Sequence, residues 1–217
     1  MPGFQVGFWI VQGETSSLAS IVLDPHENDS VLDVCAAPGG KTSHIASLTN
    51  NKAKITVIDV NSTRLNKIEE NCERLEVKNI EIINEDASKA KLERLYDKVL
   101  IDAPCSNTGV MNKRPDSRWK KTAKDIENLS KLQLKILKNI SQFIKPGGII
   151  VYSTCSIEIE ENQEVIKQFL ATNSNFKMLD ILEFQEFKQN TDDNYLAIKP
   201  FLHNMEGFFI ARLVFTP

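Results

Sequence analysis

Val31-Leu32-Asp33-Val34-Cys35-Ala36-Ala37-Pro38-Gly39-Gly40-Lys41-Thr42 reads as a short apolar strand, a turn of small residues and a helix start, the helix running over about Lys41 to Leu48. A nearly continuous apolar strand belongs in a sheet covered on both faces. Glycines directly after it let backbone approach a ligand, and the free N–H groups of the helix start attract an anion. The same alternation continues outward. Lys54 to Asp59 is a second strand, and the helix after it carries Leu65, Ile68, Cys72 and Leu75 on one apolar stripe, which assigns Cys72 to the core. Ile80 to Asn84 and Lys98 to Asp102 are the third and fourth strands. A long helix is expected from about Asp125 to Ile144, opened by Thr122 and Asp125 at capping-box spacing and broken by Pro146-Gly147-Gly148. Ile149 to Thr154 is a fifth strand and about Glu160 to Leu170 a further helix. Two strand-like runs, Phe176 to Leu182 and Phe208 to Phe215, close the chain with only a polar connection between them. Alternating strands and helices mean βαβ units and a mainly parallel sheet. The expected fold is one doubly wound α/β domain over residues 1–217, with a C-terminal antiparallel hairpin at one edge.

The 217 residues carry 26 basic and 29 acidic side chains, a net charge of −3, and are 41% hydrophobic and 25% charged. Those proportions exclude a disordered tail, a fibrous repeat and a disulfide-stapled module. A chain of this size buries roughly 70% of its unfolded surface, so neither disulfides nor a metal is needed to hold a core. No apolar run reaches the roughly 18 residues of a membrane span, and Met1 to Gln5 lacks the leader of a signal peptide, so a cytoplasmic protein is expected. Charge is unevenly spread. Lys113 to Lys124 holds six basic residues against Asp116, whereas Ile157 to Asp193 holds nine acids against three lysines. The basic stretch reads either as a phosphate-contacting edge or as a solvated loop leading into a helix. Cys35, Cys72, Cys105 and Cys155 form no CxxC pair, and His26, His44 and His203 are scattered, so no metal site is expected.

Open α/β sheets bind ligands at the carboxyl ends of their strands. The residues there are Cys35 to Thr42, Asp59, Asp102 to Ser106 and Thr154 to Ser156. Asp59 stands 20 residues beyond Gly39, where an acid binds the ribose of a nucleoside cofactor, and Asp86 follows the third strand, in reach of the base. Each alone reads equally as a turn or capping acid; both in strand-end register favour a nucleoside. A P-loop NTPase competes. Gly40-Lys41-Thr42 matches the end of that loop and Val99-Leu100-Ile101-Asp102 passes as its second strand, but Cys35 stands where the loop's first glycine belongs. Asp102-Ala103-Pro104-Cys105-Ser106-Asn107-Thr108-Gly109 and Ser153-Thr154-Cys155-Ser156 end the fourth and fifth strands, which should be neighbours. Cys105 and Cys155, 50 residues apart, can then converge on one pocket. Buried structural cysteines are the alternative, disfavoured by the Ser, Asn, Thr and Gly around them.

These motifs, with Arg114-Pro115-Asp116-Ser117-Arg118-Trp119, Glu160-Glu161-Asn162 and Gly207-Phe208-Phe209, resemble the RNA cytosine-5 methyltransferases of the RsmB/Sun and NSUN family from Gly3 to almost the last residue. The resemblance is greatest to the bacterial RsmB-type enzymes of small-subunit (16S) ribosomal RNA. It implies a Rossmann-like class I methyltransferase sheet with S-adenosylmethionine as cofactor. Cys35, Ala36, Ala37, Pro38, Gly39, Gly40 and Lys41 would line its methionine part, Asp59 its ribose and Asp86 its adenine side, with Asp102 between cofactor and target base. It further implies that Cys155 is the covalent nucleophile and that Cys105 assists product release. The residues alone leave this open, because DNA cytosine-5 enzymes use the cysteine of a Pro-Cys pair, here Pro104-Cys105. A target base must leave its stack to enter such a pocket, so single-stranded RNA is expected, with Lys113, Arg114, Arg118 and Lys121 as backbone contacts. Trp119 reads either as a stacking platform or as core. Two departures stand out. The family's amino-terminal RNA-binding region is expected to be absent, and Gln12-Gly13-Glu14 occupies the place of a usual Gln-Asp. Transfer RNA as substrate and a non-catalytic RNA-binding factor are the other readings; Cys105, Cys155, Asp102 and Lys41 together argue against the latter. A monomer is expected.

Overall fold

Val31, Leu32, Val34, Val57, Ile58, Val99, Leu100, Ile101, Ile150 and Val151 all have no accessible surface, which requires cover on both faces of the strands that hold them. A computed structural model describes residues 2–113, 115, 119, 121–188 and 194–217. The strands are β1 (Ser30–Val34), β2 (Lys54–Asp59), β3 (Ile80–Asn84), β4 (Tyr96–Asp102), β5 (Ile144–Thr154), β6 (Phe176–Leu179), β7 (Tyr195–Ile198) and β8 (Phe208–Phe215). The helices are α1 (Glu14–Leu23), α2 (Gly40–Leu48), α3 (Ser62–Arg74), α4 (Ala123–Ile140), α5 (Gln163–Thr172) and the short α6 (Pro200–His203).

All eight strands join one sheet in the order β3-β2-β1-β4-β5-β8-β6, with β7 also paired to β8. β1 to β5 are mutually parallel, and β8 runs antiparallel to β5. α1, α2 and α3 pack their apolar residues on one face, and α4 and α5 pack theirs on the other. Cys72 is a buried member of the first layer, as its stripe predicts. Strand order reverses between β1 and β4, so a crevice opens at their carboxyl ends.

Several boundaries differ from those expected. α1 had no counterpart in the sequence reading, because Thr15 and Ser20 interrupt its buried face. The capping box at Thr122 and Asp125 is present, but α4 stops at Ile140 rather than Ile144. Ile144 instead pairs with Tyr96 at the start of β5, and Pro146-Gly147-Gly148 is absorbed as an irregularity before Ile149 pairs with Lys98. Glu160 and Glu161 lie in a 3-10 turn ahead of α5 rather than within it. The antiparallel hairpin is present at one edge of the sheet, beside β5, with β8 as its inner strand. One half of its outer side is covered by β6 and the other half by β7, a strand missed because it spans only Tyr195 to Ile198.

Candidate active site

The turn after β1 is compact because its residues accept unusual backbone angles. Cys35 has φ +58° and Gly39 has φ +96°. A side chain on Gly39 would also press on Ile68 of α3, 3.3 Å from the position of its Cβ. Glycine therefore lets α2 begin directly over the sheet. Asp59 at the end of β2 is buried and clamps this turn, its carboxylate accepting from the Ala37 N–H at 3.2 Å and the Asn61 N–H at 2.9 Å. From the first turn of α2, Lys41 reaches across to Asp102 at the end of β4, with Nζ 2.7 Å from Oδ2. The Ser153 hydroxyl donates to the other Asp102 oxygen at 3.2 Å.

These groups border a cavity of about 600 Å³ lined by Cys35, Ala37, Pro38, Arg64, Lys67, Asp102, Ala103, Pro104, Cys105, Asn107 and Cys155. Within it the sulfurs of Cys105 and Cys155 are 3.1 Å apart. The Cys155 thiol also faces Asn107 Oδ1 at 3.0 Å. The two thiols are unlike. The hydrogen bond from Cys105 draws Cys155 below the ordinary thiol range against the opposing effect of burial. The same bond, together with burial, pushes Cys105 well above it. Burial and the charge of Asp59 push the Cys35 thiol up as well, so it is no nucleophile at neutral pH.

Behind the loops lies a buried polar network. Glu161, with no exposed surface, accepts from the Ser106 N–H at 2.9 Å, from Gln133 Nε2 at 3.0 Å and from the hydroxyls of Ser106 and Ser156. Asn162 beside it accepts from the Thr154 hydroxyl at 2.6 Å and donates to the Ser156 carbonyl at 2.9 Å. The Glu161 carboxylate thus ties together the loops that follow β4 and β5, one residue beyond each cysteine, and the Asn162 carboxamide fixes the second of them. Gly109 completes the bracing: its N–H meets the Cys155 carbonyl at 3.0 Å, and a Cβ there would fall 2.4 Å from the Gly207 oxygen.

Asp33 on β1 is fully buried and accepts from the Thr42 hydroxyl at 2.6 Å. Burial raises its carboxyl to about 7. Because the folded state favours the protonated acid, Asp33 is least costly below the unfolded value of about 4, and its charge is increasingly penalised as pH rises to about 7. Asp33→Asn is therefore expected to gain stability relative to the parent chain between pH 5 and pH 8, by about 2.7 kcal/mol. Thermal denaturation at the two pH values measures it, and equal differences would contradict it.

A family described as 16S rRNA methyltransferase RsmB/F matches residues 20–214. The chain belongs to the RsmB/F family. It is 39% identical to ribosomal RNA small subunit methyltransferase B of Shewanella oneidensis over 99% of its own length and 49% of that protein's. It thus spans about half the length of the curated relatives it matches. Among solved structures, PH0851 superposes with a TM-score of 0.93 at 38% identity, covering 98% of this chain and 48% of that one. NSun6 from Pyrococcus horikoshii, solved with SFG, superposes with a TM-score of 0.91 at 36% identity, covering 100% of this chain and 56% of that one.

In this RsmB/F chain the fold brings Cys35, Ala37, Pro38, Asp102, Cys105 and Cys155 together around one cavity and joins Lys41 to it through Asp102. Ala36, Gly39 and Gly40 belong to the same turn without lining the cavity, and Asp59 braces that turn. Asp86 lies apart from this lining, beyond β3, where its carboxylate accepts from the Ser88 N–H at 2.9 Å and sits 3.7 Å from Lys89. The P-loop reading fails here. The Thr42 hydroxyl is buried against Asp33 and Lys41 is engaged by Asp102, so neither is presented to a phosphate. Lys113 and Lys121 are exposed, but Lys113 is paired with Glu206. Arg114 and Arg118 lie outside the described residues. Trp119 is 84% exposed, so its reading as core is dropped. Arg64 and Lys67 line the cavity and had not been singled out, since α3 presents them as ordinary helix cations. Among the described residues no cluster of three or more metal-binding side chains occurs, and no helix is long and apolar enough to cross a membrane.

Proposed function

We propose that this chain methylates carbon 5 of a cytosine in small-subunit ribosomal RNA, with S-adenosylmethionine as methyl donor and a covalent bond from Cys155 to carbon 6 of the base. The observation that carries the reading is the pair of sulfurs 3.1 Å apart at the mouth of one cavity, one thiol drawn down and the other pushed up. Family membership and a neighbour solved with SFG support the donor.

The residues present suit such a cofactor. The turn from Cys35 to Gly40 is built of small side chains with two left-handed backbone positions, and it borders a cavity of about 600 Å³. Asp59 ends the neighbouring strand, and two of its carboxylate's lone-pair sites remain after its backbone bonds. When bound, S-adenosylmethionine supplies an electrophilic methyl group. Carbon 5 of cytosine is too weak a nucleophile to take it unaided. Addition of the Cys155 thiolate to carbon 6 moves the ring's electron pair onto carbon 5, as an enamine, and carbon 5 then takes the methyl group as the donor's sulfur–methyl bond breaks and leaves its pair on sulfur, a neutral thioether. A base then takes the carbon 5 proton, the C–H electron pair forms the carbon 5–carbon 6 double bond, and the carbon 6–sulfur bond breaks with its pair left on Cys155. Asp102, held by Lys41 and Ser153, is placed to hydrogen-bond N3 and the exocyclic amino group, which favours addition. Cys105, kept protonated beside the sulfur it must help release, assists the last step.

Bisulfite sequencing of total RNA from the source organism, with and without the gene, tests this. The expected result is one protected cytosine in small-subunit ribosomal RNA that becomes convertible on deletion. Loss of protection in transfer RNA instead would keep the chemistry and replace the substrate. No change in any RNA would overturn the proposal.

A further inference from the structure

The environment of Cys155 holds one polar group that the proposed chemistry does not use. Asn107 sits two residues beyond Cys105, at φ +64°, a left-handed conformation that asparagine tolerates better than most side chains. Its carboxamide lines the cavity and bridges the two cysteine loops. Nδ2 donates to the Cys105 carbonyl at 3.1 Å, and Oδ1 lies 3.0 Å from Cys155 Sγ. The orientation of the amide follows from the first contact. A backbone carbonyl can only accept, so it must face the NH₂ group, which leaves the amide oxygen against the sulfur.

An amide oxygen only accepts, and it repels a thiolate. The Cys155 sulfur therefore stands between two opposed neighbours. Cys105 S–H donates to it and favours the thiolate, while Asn107 Oδ1 accepts from it and favours the thiol. The charged groups that face Cys155 are Asp102 from β4, which opposes ionisation, and Lys41 from α2, which favours it. Those two are already paired with each other at 2.7 Å, so their net influence is small and the uncharged neighbours set the balance.

We propose that Asn107 is a positioning residue that aims the Cys155 sulfur into the cavity and, against the donor Cys105, holds back its ionisation until a substrate base displaces the contact. The inference rests on Cys155 being the nucleophile of the proposed reaction and adds what holds that nucleophile in reserve. A latch of this kind keeps a thiol at an open cavity from alkylation and oxidation between turnovers, since the thiolate is the reactive form.

The test is the pH profile of Cys155 alkylation by iodoacetamide in the RNA-free 217-residue protein, read by mass spectrometry of the Cys155 peptide. It needs neither RNA nor methyl transfer, so a wrong reaction assignment and a wrong latch fail in different assays. Asn107→Gly removes the amide without backbone strain, because glycine accepts the left-handed angle freely. It is expected to lower the apparent pKa of Cys155 and raise the thiolate fraction at pH 7 by about fivefold, the worth of one modest hydrogen bond. Asn107→Asp keeps the shape but sets a carboxylate against the sulfur, and is expected to raise the apparent pKa and slow alkylation at pH 7 by about tenfold or more. A purely structural role would lower melting temperature in both variants without moving the pKa in opposite directions. An unchanged or raised pKa in Asn107→Gly would overturn the latch. If the glycine variant fails to fold, the aspartate variant decides alone: an unchanged or lowered pKa there overturns it.

Discussion

Cys155→Ala is expected to abolish both methyl transfer and any covalent protein–RNA species, whereas Cys105→Ala is expected to leave a protein–RNA adduct that survives denaturation. The asymmetry follows from the two thiols. Cys155 is drawn toward the thiolate by the hydrogen bond from Cys105, and it lines the cavity from the end of β5. In the proposed reaction neither other cavity thiol takes its place: burial holds Cys35 protonated, and Cys105, although freed of the hydrogen bond to Cys155 that raised it most, is still opposed by burial. Loss of roughly a thousandfold or more in rate is expected, as for removal of other covalent nucleophiles. In the proposed reaction Cys105 acts at the opposite end of the cycle. Removing its S–H also removes the donor that lowers Cys155, so adduct formation slows at neutral pH even as the adduct that does form accumulates. A denaturing gel with labelled RNA separates the outcomes. An adduct that persists in Cys155→Ala and vanishes in Cys105→Ala would exchange the two roles.

The second large effect is expected at Glu161, far from any solvent. Its carboxylate takes four donors at once, two from Ser106 and one each from Ser156 and Gln133. Glu161→Ala strands the Ser106 N–H and one of the two Gln133 Nε2 hydrogens inside the protein, the other staying with the Pro104 carbonyl at 2.9 Å. A loss of about 3–5 kcal/mol in unfolding free energy is expected, read from urea denaturation, together with loss of methyl transfer as the cysteine loops part. Glu161→Gln should behave differently. Its remaining oxygen can serve the Ser106 N–H and Gln133, while its NH₂ turns to the two hydroxyls, which also accept. That variant is expected to stay within about 1 kcal/mol of the parent chain. Equal losses in both variants would mean that the charge, rather than the count of acceptors, holds the loops.

Glu161 also shows where the reading of sequence ends. It lies in a strongly acidic stretch and follows Glu160, so by composition it is one more surface acid. Only the tertiary fold makes it the buried anchor of two loops that are 50 residues apart along the chain. Asn107 is similar: its type suits a turn, and nothing local says that its amide touches a sulfur 48 residues away. β7 was hidden for the same reason. A four-residue strand depends on which partner is free, not on the run itself.

What the sequence determined by itself is local and periodic. The apolar runs of β1, β2, β4 and β5, the stripe that buries Cys72, the capping box of α4 and the small-residue turn after β1 each depend on residues within about a dozen positions of one another. Burial and helix pitch act at that range, so composition alone carries them. The motifs around Cys35, Cys105 and Cys155 were legible as well, because strand-end polarity in an α/β sheet points to ligands. The tertiary structure decided the rest: that two sulfurs meet at 3.1 Å, that Lys41 is spent on Asp102 rather than on a phosphate, and that Asp59 braces the turn while Asp86 stands apart. Contacts of that kind depend on the register of parallel strands whose pairing spans many tens of residues, and a hydrogen bond forms or fails within about half an ångström. Sequence pattern carries no information at that resolution; packing does.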